Sequence, residues 1–170
     1  MNYRRTVLLL SAIPLLAMPM VAHADDPATE FRAELRGRNE VPLTLSGGRG
    51  RLKLTVNDDD TSVHFVLQFT GLQTPVGASH IHVGQPNANG GVTVFFCGGG
   101  GRPPCPQEGT VEGDFTAADV LPLSSQQLEA NNLAKLLKAI RAGKTYANLH
   151  TMTSPGGEIR GQILAEERER

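Results

Sequence analysis

The sequence predicts an all-β protein, a single antiparallel β-sandwich with Greek-key-like connections and one helix inserted near 125–142. Three observations carry that prediction. Apolar residues alternate with period two in short runs bounded by glycine, proline, asparagine or aspartate. Glycine and proline, 19 and 11 of 170 residues, are too frequent for a helical bundle and suit strands joined by turns. Only one stretch breaks the alternation, placing Leu128, Leu133, Leu136, Leu137 and Ile140 at helical spacing.

The elements follow in order. Residues 31–35 open the series. In 49–56, Leu52, Leu54 and Val56 share a face, and in 62–70 Val63, Phe65, Leu67 and Phe69 do. Asn57-Asp58-Asp59-Asp60 between them reads as a hairpin turn; the alternating oxygen ligands of a calcium loop are missing. Further strands are expected at 79–83, 92–96, 110–115, 145–150 and 158–164, the last entered through a turn at Pro155-Gly156-Gly157. For the helix, Ser124 and Gln127 offer a capping box and Gly143 a stop. Lys138 and Arg141 stand in the last turn, where the helix dipole favours cations. Its leucine stripe reads as core cover rather than a partner groove.

Residues 1–24 read as a secretory signal peptide: Arg4 and Arg5, a largely apolar 7–21 interrupted by Pro14 and Pro19, then Ala22-His23-Ala24 as a cleavage site. The apolar run is short for a membrane span, which needs about 20 residues. Paired arginines fit either Sec or twin-arginine export. Beyond a short linker at 25–29, one domain is expected over 30–165, followed by a charged tail, 166–170. Cleavage would leave a periplasmic or secreted chain with 14 basic and 17 acidic groups, since two of the 16 basic residues lie in the signal. No transmembrane segment is expected in that mature chain. Nucleic acid is excluded as a partner, because there is no positive field to gather phosphates and no tryptophan to stack on bases.

In an oxidising compartment the two cysteines, Cys97 and Cys105, are most simply a disulfide; a two-cysteine metal site is the weaker alternative, given their wide spacing. Three histidines stand out, His80 and His82 in SHIHVG and His150 in YANLHT. Residues two apart on a strand project to one side, so His80 and His82 share a face, and Tyr146, Asn148 and His150 share one on their own strand. If the two strands are neighbours, three imidazoles meet, a donor set for zinc or copper. The other reading is histidines hydrogen-bonded within a sheet. His64 is expected at the surface in a solvated role.

The segments SHIHVGQPNANGGVTVFFCGG and YANLHTMTSPGGEIRGQI, with FRAELRGRNEVPLT near the start, resemble the chordin-type (CHRD) domain over about residues 30–165. Leu43 and Asn87 depart from the family's usual proline and glycine, and asparagine tolerates the left-handed conformation a glycine would supply. The resemblance implies an immunoglobulin-like or superoxide-dismutase-like sandwich and an extracellular module rather than a defined enzyme. By likeness to copper/zinc dismutases, His80, His82 and His150 would be ligands and Arg160 a steering cation. A bridging histidine and a His/Asp zinc cluster are absent, so dismutase turnover is not implied.

In Glu158-Ile159-Arg160, Arg160 is expected to form a structural ion pair with Glu40 or Glu158, with anion binding the alternative. Enzyme motifs fail individually. Gly77-Ala78-Ser79 is no nucleophile elbow, and Gly98 to Gly101 lacks the Gly-Lys-Ser/Thr of a phosphate loop. The reading is therefore an exported, non-catalytic module that meets an envelope or extracellular ligand through loops 85–91 and 98–104. The alternative is a copper- or zinc-binding protein.

Overall fold

The computed structural model describes residues 27–166, so the expected signal peptide and all of the charged tail but Glu166 lie outside it. The strands are β1 (Glu30–Arg36), β2 (Arg49–Val56), β3 (Ser62–Thr70), β4 (Val76–Val83), β5 (Gly91–Cys97), β6 (Gly109–Thr116), β7 (Thr145–Thr151), β8 (Ile159–Gln162) and β9 (Leu164–Ala165). One α-helix, α1 (Leu133–Arg141), stands between β6 and β7. All pairings are antiparallel, in the order β5-β4-β7-β8-β1-β2-β3-β6, with β9 also on β1.

The alternation seen in the sequence builds the core. Phe31, Ala33 and Leu35 of β1, Leu52, Leu54 and Val56 of β2, and Val63, Phe65, Leu67 and Phe69 of β3 all point inward and are buried. The sheet curls until its two end strands, β5 and β6, approach each other, and Phe96 packs on Phe65 with ring centroids 4.7 Å apart. The result is nearly a barrel. The pairing forms one continuous path, not the two separate layers expected of a sandwich. It narrows at β8–β1 to a single pair, Arg36↔Arg160. Gly161 permits that approach, since a Cβ there would lie 2.5 Å from the Glu34 carbonyl oxygen. The expected last strand divides because β1 is met twice, by β8 at one end and by β9 at the other.

The helix is shorter than its apolar spacing suggests. Ser124–Gln126 is a 3-10 turn, and Gln127 and Asn131 adopt left-handed φ values of 57° and 60° that no α-helix accommodates. Leu128 instead bridges back to Leu123. The cap is Asn132, whose side chain accepts the Lys135 N–H at 2.9 Å, so the Ser124/Gln127 box does not start the helix. Leu133, Leu136, Leu137 and Ile140 are buried as one stripe, and Gly143 ends the element at φ 64°. Cys97 and Cys105 are disulfide-bonded, closing the loop between β5 and β6.

Candidate metal centre

On β4, β7 and β8 the second face of the sheet is buried as well. His80, His82, Tyr146, Asn148 and Arg160 are each no more than 7 % exposed, although none is part of the contiguous apolar cluster on the inward face. β4 and β7 are neighbours, with His80 opposite Asn148 and His82 opposite Tyr146. Period two on each strand then brings the three imidazoles together as expected, with ring centroids of His80 4.6 Å from His82 and 4.5 Å from His150.

Hydrogen bonding fixes the tautomers. His82 Nδ1 lies 2.8 Å from the Gly90 carbonyl and His150 Nδ1 2.9 Å from the Pro155 carbonyl. A carbonyl only accepts, so each Nδ1 carries the proton and each Nε2 presents a lone pair. Those Nε2 atoms, together with His80 Nδ1, are buried and have no protein partner among the described residues. Candidate ligand atoms of the three residues all lie within 4.8 Å of one another. Three nitrogens bound to one ion at about 2.0–2.1 Å would stand roughly 3.3–3.6 Å apart, so the widest separation in the cluster would shorten by up to about 1.5 Å on binding.

Burial holds the imidazoles neutral. It pushes His80 down to about 3, helped by repulsion from His150 and His82, and His82 down to about 4 against the Gly90 hydrogen bond. His150 is lowered by the same desolvation, opposed by its bond to Pro155. Neutral imidazoles are the form that binds a metal.

Two aromatic contacts brace the cluster. Phe95 meets His80 edge-on at 5.0 Å, and Tyr146 stacks flat on His82 at 4.6 Å with 6° between planes. Phe95 is in turn covered by Gly99 and Gly100 of the disulfide loop, where side chains would collide with its ring. The Tyr146-Asn148-His150 face was legible in the alternation, whereas Phe95 and Gly90 left no signal, since their roles depend on a strand pairing and a loop return.

The expected ion pair of Arg160 with Glu40 or Glu158 is not formed. Arg160 donates to Asn89 Oδ1 and the Ala88 carbonyl, both at 2.9 Å, and its guanidinium lies 4.0 Å over the Tyr146 ring. It is therefore committed to a loop and a ring, not free to steer an anion. Glu158, fully buried, is used elsewhere: its carboxylate accepts from the Ser46 and Thr151 hydroxyls and the Gln73 N–H. Burial pushes the Glu40 carboxyl up to about 7, against the pull of Arg160 and hydrogen bonding from Asn148 and Val41. His64 lies apart on β3, partly exposed between Glu112 and Asp114. Asn87 takes the left-handed φ of 63° that its turn was expected to require.

A family model described as the CHRD domain matches residues 31–163. No curated protein and no solved structure matches the chain. Among the described residues no helix is long and apolar enough to cross a membrane.

Proposed function

The chain belongs to the CHRD-domain family, and from that premise we propose that it is an exported, non-catalytic module whose sheet holds one zinc or copper ion through His80, His82 and His150. The observation that carries the metal reading is the set of three buried imidazole nitrogens without partners among the described residues, two of them with tautomers fixed by carbonyls. Buried polar atoms in native proteins are nearly always satisfied, and three orphans aimed into one space suit a cation. Imidazole alone serves both zinc and copper. The disulfide supports an oxidising compartment, as does the signal-like segment at 1–24. An envelope or extracellular ligand would be met by the exposed part of loop 98–104.

Titration with zinc and with copper(II), followed by metal analysis after desalting, tests this. One equivalent is expected on the wild-type chain and none on the double variant His80→Gln, His82→Gln. Equal uptake by both would refute the site.

A further inference from the structure

Arg160 presents an unexplained cost. It is buried, only 2 % exposed, and no carboxylate lies within 4.0 Å of it among the described residues. Burying a guanidinium with no carboxylate in contact is unfavourable, and its pull on Glu40 acts across a gap rather than through an ion pair, so its hydrogen bonds must serve something. They lead to the histidines. Its two terminal nitrogens hold Ala88 and Asn89. The next residue, Gly90, donates its N–H to the Tyr146 hydroxyl at 3.1 Å and offers its carbonyl to His82 Nδ1 at 2.8 Å. Tyr146 closes the circuit, since its ring lies between contacts to Arg160 at 4.0 Å and to His82 at 4.6 Å.

We propose that Arg160 and Tyr146 are positioning residues of the metal centre: together they clamp the 88–90 segment so that the Gly90 carbonyl fixes the tautomer and ring angle of His82. Each member of the circuit has a defined task. Arg160 supplies a planar fork that holds two acceptors while its face rests on the ring, which a lysine cannot do. Tyr146 contributes a flat surface that sets the plane of the imidazole and a hydroxyl that anchors Gly90. Asn89 ties the segment a second time, donating from Nδ2 to the Val41 carbonyl at 3.0 Å. Residue 90 must be glycine for this return, because a Cβ there would run into the Val83 carbonyl. The donated Nδ1–H bond also raises the basicity of Nε2, as outer-shell acceptors do for metal-bound histidine.

This inference rests on the metal reading, and the experiment separates the two. Wild-type protein, Arg160→Lys, Tyr146→Phe and the milder surface variant Asn89→Ala are each loaded with copper(II). Affinity is measured by competition with a chelator and geometry by electron paramagnetic resonance. Loss of outer-shell support is expected to weaken binding by about 10- to 100-fold and to shift the copper hyperfine pattern. Leu136→Ala, which destabilises through the core beneath α1, serves as comparison and is expected to lower thermal stability with no change in spectrum. Variants that bind with wild-type affinity and spectrum would overturn the positioning role alone. A spectrum equally disturbed in Leu136→Ala would also overturn it, by showing a general effect of stability. A wild-type chain that takes up neither copper(II) nor zinc would overturn both readings, and for a chain that takes up zinc alone the same affinity comparison is read with zinc.

Discussion

Acidifying the metal-free protein from about pH 6.5 to about pH 5 tests whether the buried imidazoles stay neutral in the fold. His80 titrates at about 3 and His82 at about 4 when folded, against an ordinary 6.5. In this window the unfolded chain takes up protons that the fold refuses, so stability is full above 6.5 and falls as pH falls. One such proton is worth at most about 1.4 kcal/mol per pH unit, and because the unfolded imidazole is already half protonated at 6.5, two of them across about 1.5 units remove roughly 3 kcal/mol. Glu40 acts with the opposite sign. Its folded value of about 7 lies above the ordinary 4.5, so its contribution is fully present below 4.5 and is lost as pH rises through 7. Across the same window it returns somewhat under about 2 kcal/mol, leaving a net loss of roughly 1.5 kcal/mol. The lowered His150 adds to the loss. Urea unfolding at several pH values measures the slope. His82→Gln is expected to flatten it and Glu40→Gln to steepen it, each by about 1.4 kcal/mol per unit. Identical slopes in all three proteins would refute the opposed titrations.

Two further outcomes follow from the geometry. Reducing Cys97–Cys105 is expected to cost about 2.5 kcal/mol by the chain-entropy model. Because the loop covers Phe95, which braces His80, reduction is also expected to weaken metal binding, measured by the same chelator competition. Gly157→Ala is expected to destabilise by about 1–3 kcal/mol in thermal melts. Gly157 sits at φ 124°, and a Cβ would come within 2.8 Å of Glu40 Oε1 and Asn148 Nδ2.

Most strands were legible in the sequence because period two is a local signal, and 49–56 and 62–70 reappear with the same bounds. The same rule placed His80 with His82, and Tyr146 with His150. What it could not supply was the surrounding packing. The segment at 125–132 lost its helix to two left-handed residues whose side chains give no warning in a leucine count. Arg160 was expected to seek a carboxylate on charge alone, yet it found backbone and amide oxygens on a loop 71 and 72 residues away in the chain. Charge is readable from composition, but the occupancy of each acceptor is not: Glu158 was already taken by two hydroxyls and an N–H. The curvature that makes one near-barrel from the sheet is likewise set by long-range pairing and close approaches such as Gly161.

The seam between β5 and β6 decides how this molecule can meet other chains. Outward backbone groups on a sheet edge normally offer a template to a foreign strand. Here the connecting chain occupies several of them. Leu121 N–H donates to the Thr93 carbonyl at 2.8 Å, Gln126 Oε1 accepts from Gly91 N–H at 2.9 Å, and Arg102 donates to the Asp114 carbonyl at 2.7 Å. Arg102 belongs to the disulfide loop, so the covalent closure also caps the edge of β6. Strand addition is opposed at these three positions. A ligand arriving there has to be read by side chains and loop shape, and self-association through edge pairing is disfavoured by the same caps.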